Sequence, residues 1–473
     1  MPRLEANQVG TIDLLLTFRS FWGGVFLSKR KLINAVVYCV VLPMCLLSGC
    51  FKPIREGETG SISGEISVAS IYPVTEATTW SPSLKYGGNA PNVIRGINDF
   101  TFRLSTLLAE ELGDDNLICS PILVWMPLAA LINASESEHR EIFKDALFVS
   151  GISDEDINFT SKIILSDLKN LRDISNGHKA LRMVSTVFVR SDLNPNKDFA
   201  QLFSDYYNGN ILCVDFTSPE AVKSVNQWAS ENTNGLISDI VQRFSPDIVV
   251  AVGNAIYFED RWKLEFDPRQ TTENVFYSRS GEESAFFMLR EGNEQAYYED
   301  DAVQSVLLEY KSGGGMYIIL PKDGDTARLL SSMSTDYFET IRTSMEPKTG
   351  KLLLPRFSMD SGIMQLDSIL KSLDIPLFDS SAAPLMGGLV EGDVPIWLSC
   401  AMQKAIVKVD ETGTVAATVT LIPGSGEGPA IQTEPFEMIC NKPFLFVLFA
   451  QTSADESIIL FTGIVNHPES KTW

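Results

Sequence analysis

Few residues in this chain are set up for bond-making chemistry. The three histidines, His139, His178 and His467, lie far apart. None sits in a Gly-x-Ser-x-Gly, a His-Glu-x-x-His or another ligand spacing, which removes the pattern that nucleophilic hydrolases and zinc enzymes need. The stretch Gly424-Ser425-Gly426-Glu427-Gly428 is no phosphate loop, since neither a helical pattern nor a Lys-Ser/Thr pair follows it. The chain is therefore expected to be no enzyme and to use no cofactor and no metal. Its unusual segment is mechanical. From Glu411 through Thr412 and on to Thr420, one side alternates Thr414, Ala416, Thr418 and Thr420 while the other carries Val415, Ala417, Val419 and Leu421. Every residue from Gly413 to Thr420 is small or β-branched, as required of a strand that must slide between two others without opening a packed core.

Such a strand needs a sheet to enter, and the sequence supplies one. Strand signals run over Arg182 to Val189, Ile248 to Phe258, Val306 to Tyr310 and Met316 to Leu320, the last two joined by Ser312-Gly313-Gly314-Gly315, and the final 75 residues are mostly strand-like. Helices come first. Ile97, Phe100, Leu104, Leu107 and Leu112 share one face of a helix that opens near Pro91 and stops at Gly113; Ser120-Pro121 then starts a second helix that Pro127 should disturb. Helices, mixed elements and a strand-rich end without a linker after residue 95 predict one large α+β unit. With 473 residues, 45% hydrophobic, the chain can bury a large core. Its net charge of −22 argues against a nucleic-acid partner. The separated Cys119, Cys213, Cys400 and Cys440 read as small apolar residues.

The N-terminus reads as an address. Lys29-Arg30-Lys31, the apolar run Leu32 to Leu47 and then Leu47-Ser48-Gly49-Cys50 follow the order of a signal peptide. The last four residues resemble the bacterial lipobox, which implies cleavage before Cys50 and lipid attachment there. Residues 1–49 are thus the expected signal region, with 1–28 an extension of the kind a misplaced translation start produces. Residues 50–92, rich in Gly, Ser, Thr and Pro, are expected to be a flexible tether. The expected location is a bacterial cell envelope, at the outer membrane or cell surface, with secretion as the alternative.

Several motifs carry a family resemblance. Asn254-Ala255-Ile256-Tyr257-Phe258-Glu259-Asp260-Arg261-Trp262, followed by Phe266-Asp267-Pro268 and Thr271, resembles the serpin motif that ends a central strand and enters the breach under the tryptophan. Asn226, Trp228 and Thr233-Asn234-Gly235, then Leu354-Pro355-Arg356-Phe357, Asn441-Lys442-Pro443-Phe444 and Phe461-Thr462-Gly463-Ile464-Val465 follow in the family's order. The match implies a serpin domain over about 93–470: helices packed on a large central sheet plus smaller sheets, with an exposed reactive-centre loop at 411–433. Pro127 and Gln403 depart from the pattern, the latter replacing the usual histidine before Lys404-Ala405.

The resemblance gives the alternating segment its meaning. Glu411, Gly413, Thr414, Ala416, Ala417 and Thr418 match the hinge of inhibitory serpins, and Asn254, Trp262 and Lys404 belong to the breach and fold motifs. It implies a monomeric inhibitor in which a serine protease, or a cysteine protease, attacks the loop, forms an acyl-enzyme and is dragged away as the freed strand inserts. Counting forward from Glu411 places the scissile bond at Glu427-Gly428, the favoured choice; counting back from Asn441 places it near Gln432-Thr433. No Lys or Arg occurs between Thr412 and Glu437, which disfavours a trypsin-like target. Pro423 and the glycines after it keep open an alternative, a non-inhibitory serpin that acts as a binding or structural surface protein.

Overall fold

The structure is a computed structural model that describes residues 69–74, 85–171, 180–232, 235, 237–245, 247–375, 386–392, 394–414, 434–453 and 456–468. The expected signal region with Cys50, the remainder of the expected tether, and residues 415–433 lie outside the described residues.

Strand β1 (Ala69–Ile71) is followed by α1 (Ala90–Leu112), β2 (Leu117–Cys119), α2 (Pro121–Ile132), α3 (Ser137–Ala146), α4 (Asp154–Asn170), β3 (Leu181–Arg190), α5 (Lys197–Tyr207), β4 (Asn210–Val214) and α6 (Ala221–Asn232). The strand-rich part begins with β5 (Val250–Phe258), β6 (Asp260–Arg261), β7 (Thr272–Ser278), β8 (Gly281–Glu299), β9 (Val303–Glu309) and β10 (Gly315–Pro321). After α7 (Thr326–Ser332) and α8 (Thr335–Thr343) come β11 (Glu346–Pro355), β12 (Phe357–Asp360), β13 (Met364–Gln365) and α9 (Asp367–Ser372). The chain closes with β14 (Leu398–Val409), β15 (Gly413–Thr414), β16 (Phe436–Ile439), β17 (Phe444–Gln451) and β18 (Ser457–Val465).

Burial explains the ordering of these elements. All nine residues of β5 are buried, as in a strand covered on both faces, and its sequence is a continuous small or apolar run broken only by Asn254. Val250, Val252, Ile256 and Phe258 face the main core. Ala251 and Ala255 face a second core around Trp228 and Val225 of α6. Helix α2 is buried at every position, so its apolar residues run all round it rather than along a stripe.

Among the described residues two nine-stranded sheets result. The first has the order β1-β4-β3-β5-β14-β15-β6, with β12 and β13 also on β14; the second runs β16-β11-β8-β9-β10-β17-β18-β2, with β7 on β8.

Three details depart from expectation. Helix α2 continues through Pro127 instead of breaking there; a helix buried on every side is held by packing that outweighs one lost backbone bond. Ser120 precedes that helix without capping it, and its hydroxyl donates to the Leu460 carbonyl at 2.6 Å. Ala69–Ile71, inside the stretch expected to be tether, pairs antiparallel with β4 through Ala69↔Val214, Ser70↔Cys213 and Ile71↔Leu212.

Candidate functional site

The seam between β5 and β14 is the centre of the first sheet. These strands run parallel, in register from Leu398↔Val250 to Ile406↔Tyr257, with one irregularity between Leu398 and Cys400. Just beyond the end of β14 the chain turns back. Gly413 and Thr414 form β15, which pairs antiparallel with β14 through Val409↔Thr414 and with β6 through Gly413↔Arg261 and Thr414↔Asp260. Since β6 follows β5 almost directly, β15 lies at the mouth of the seam and points into it.

Residues 410–414 are fastened one by one. Glu411 is 4% exposed. Its carboxylate accepts from Arg356 Nε at 2.9 Å and Nη2 at 2.5 Å, and from the Thr271 hydroxyl. Charge-assisted forks of this kind fix geometry as well as energy. Asp410 Oδ1 accepts from the Thr412 amide at 2.8 Å and the Thr412 hydroxyl at 2.6 Å, closing the turn. Gly413 passes so close to the neighbouring strand that a Cβ there would lie 2.0 Å from the Asp260 carbonyl oxygen. Thr414 is fully buried and shares a 2.6 Å hydrogen bond with the Tyr310 hydroxyl.

Trp262 joins these parts. Its ring stacks on Tyr310, with centroids 4.6 Å apart and planes 12° from parallel. Its Nε1 donates to the Asp410 carbonyl and its amide to the Thr412 carbonyl, both at 2.9 Å. Burial pushes the Tyr310 phenol well above its usual pKa, so it remains neutral.

Farther down the seam, Ser185, Asn254 and Gln403 form one row across β3, β5 and β14. Gln403 accepts from the Ser120 amide at 2.8 Å and donates to the Ser120 carbonyl at 2.7 Å. Asn254 Oδ1 and Ser185 Oγ are buried without a partner among the described residues. Lys404, the next residue of β14, turns to the opposite face and pairs with Asp239 at 2.8 Å.

Among the described residues no group of three or more His, Cys, Asp or Glu could hold a metal ion. Cys119 and Cys440 are buried, Cys213 and Cys400 half-buried, and all are free thiols.

The family model for serpins, described as serine protease inhibitors, matches residues 95–468. The chain belongs to the serpin family. An uncharacterized serpin-like protein of Thermococcus kodakarensis is 28% identical over 93% of this chain and 99% of its own length. Antitrypsin of Bombyx mori is 28% identical over 80% of this chain and 94% of its own. Among solved structures, human thyroxine-binding globulin complexed with thyroxine aligns with a TM-score of 0.70 at 21% identity, covering 81% of this chain and all of that one. At that identity the likeness speaks for the fold alone.

In this serpin the structure brings Glu411, Gly413, Thr414 and Trp262 together at one point and sets Asn254 and Lys404 along the seam below them. Ala416, Ala417, Thr418 and both candidate scissile pairs, Glu427-Gly428 and Gln432-Thr433, lie outside the described residues. Sequence reasoning quoted Arg356 and Thr271 without seeing their task. The sequence carried no signal for this pairing, because the burial of Glu411 shows only in the fold and Arg356 and Thr271 lie 55 and 140 residues away. Tyr310 and Ser120 gave none either, because their partners lie 104 and 283 residues away.

Proposed function

We propose that this serpin inhibits serine endopeptidases of non-tryptic specificity by trapping them on its loop. The observation that carries this reading is the position of Thr414: the first residues of the hinge already occupy the mouth of the seam, and Thr414 is fully buried there. The small and β-branched residues that follow can continue the same path. A strand entering antiparallel to both β5 and β14 replaces one parallel interface with two antiparallel ones, the more stable pairing per residue. About ten new ladder bonds at about 1 kcal/mol each make a driving force on the order of 10 kcal/mol. That exceeds the several kcal/mol needed to slow deacylation by a few factors of ten.

In the proposed sequence the protease's serine Oγ attacks the scissile carbonyl, the amine of the next residue departs with a proton, and the ester ties the enzyme to the hinge side of the loop. The freed strand then inserts and draws the enzyme away before water can cleave the ester. Glu427-Gly428 is the favoured bond. The names of relatives such as the silkworm antitrypsin support an inhibitory role.

The test is incubation with glutamate-selective, elastase-like, subtilisin-like and trypsin-like proteases, followed by denaturing electrophoresis and mass spectrometry of the released C-terminal peptide. A stable high-mass adduct and a peptide beginning at Gly428 are expected from the first of these. A nicked loop with fully active protease in every case would instead favour a binding role, the reading that Pro423 and the following glycines support. The same reading places the inhibitor on a bacterial envelope through a lipid at Cys50; Cys50→Ser should then move the chain from the membrane fraction to the soluble one.

A further inference from the structure

Three cations are buried among the described residues: Lys144, Arg290 and Lys404. Two of them have carboxylates. Lys144 pairs with Asp154 at 2.8 Å and Glu141 at 3.2 Å, and Lys404 with Asp239 at 2.8 Å. Arg290, 7% exposed, has no carboxylate partner among the described residues. A buried charge is costly unless it is paired and hydrogen-bonded.

The surroundings of Arg290 call for an apolar side chain. It lies in β8 opposite Leu352 of β11, which lies opposite Met438 of β16, and Met288 and Leu354 form the next pair on the same face. All four neighbours are fully buried. Of the five N–H donors of the guanidinium, one is used among the described residues, where Nη2 donates to the Leu264 carbonyl. Nε is buried and has no partner among them. The Phe266 ring covers one face of the group, its centroid 4.2 Å from the guanidinium carbon; a ring face attracts the cation and leaves the in-plane donors unfilled. Carboxylates on adjoining residues are engaged or turned away: Glu265 pairs with Lys311 at 2.8 Å, Glu309 with Lys263 at 3.1 Å, and Glu291 is exposed on the other face of β8. Burial pulls the Arg290 pKa down to about 10, which leaves it charged at neutral pH. Leu264 is 43% exposed, so the group lies just beneath the surface.

Arg290 also braces the wall of the mouth. The chain from Trp262 to Phe266 is bonded at both ends, Trp262 N to the Thr412 carbonyl at 2.9 Å and Phe266 N to the Glu411 carbonyl at 2.8 Å. Arg290 holds the middle of this span through Leu264 and its end through Phe266.

We infer that Arg290 is the receptor for a small oxyanion, a carboxylate or a phosphate, which takes the unused N–H donors as a fork and steadies the 262–266 span against residues 411 and 412. Guanidinium geometry suits both anions in this two-bond mode. The site lies outside the seam and is independent of whether the chain traps proteases.

The test measures urea midpoints of the full chain in inorganic phosphate, acetate and chloride at one pH and constant ionic strength. The midpoint should rise with phosphate or acetate and follow the saturating course of binding to the folded state; the anion that acts names the class. Arg290→Met suits the apolar row, so its midpoint in chloride should equal or exceed that of the unmodified chain, and its saturable response should be gone. Arg290→Lys keeps the charge without the fork and should need about tenfold more anion for the same rise; it carries the comparison if Arg290→Met does not fold. Saturating anion should also slow hydrogen exchange over residues 258–270 and 406–414 in the unmodified chain and leave it unchanged in Arg290→Met. A rise that grows linearly with concentration, or one of equal size in both chains, would mean general salt stabilisation and an adventitious ion only, and would overturn the site. No response to either anion, with Arg290→Met well below the unmodified chain in chloride, would make Arg290 a structural brace alone.

Discussion

The two halves of the β5–β14 seam are built in opposite ways. At its mouth the polar groups of residues 411–414 find partners: Glu411 in Arg356 and Thr271, the turn in Asp410, and Thr414 in Tyr310, which stacks on the Trp262 ring. In the middle, Asn254 and Ser185 keep oxygens in the core that have no partner among the described residues. Paired groups fix residues 411–414 in place at the mouth, whereas the unpaired oxygens in the middle carry a cost that a further partner would remove.

Glu411→Lys should break this contrast most severely. It places two cations together where a buried carboxylate stood, at about 3–5 kcal/mol or more, and should appear as a sharp loss of soluble monomer on gel filtration. Gln403→Ala comes next, because it leaves the buried Ser120 amide and carbonyl unpaired at about 1–3 kcal/mol each. A lower midpoint in urea is expected, with Gln403→His recovering part of it through one of the two bonds.

Gly413→Ala should then cost about 1–3 kcal/mol by overpacking against Asp260, while also expelling β15 from the mouth; faster cutting of the loop by a non-target protease would report the expulsion. Trp262→Phe keeps a ring against Tyr310 but leaves the Asp410 carbonyl unpaired and a small cavity where the indole lay, at about 1–3 kcal/mol. If that variant proved as damaging as Glu411→Lys, the indole and its bond to the Asp410 carbonyl, rather than the Glu411 ion pair, would hold the mouth.

Much of this was legible in the sequence for identifiable reasons. The continuous small and apolar run of β5 is local, and such a pattern translates directly into a strand; of the period-two pattern only Thr414 lies among the described residues, in β15. Gly113 and Ser120-Pro121 marked helix ends that the fold keeps. Long-range pairings were not legible. Nothing in the composition of residues 50–92 marks Ala69–Ile71 as a partner for β4, because a short edge strand is chosen by its neighbour more than by its own residues. The α2 helix runs through Pro127 because burial on all sides decides the outcome, and a propensity rule does not see burial. The row at Asn254 could be named from a motif, but its missing partners show only once three strands are laid side by side.

The central claim is that this seam opens and takes up the loop. Hydrogen exchange of the full chain, before and after a single cut between residues 424 and 433, tests it most directly through peptides covering Val250–Phe258 and Leu398–Val409. The account predicts that exchange in both strands slows markedly after cutting, because a new strand locks them. Unchanged or faster exchange in the cut protein would contradict it.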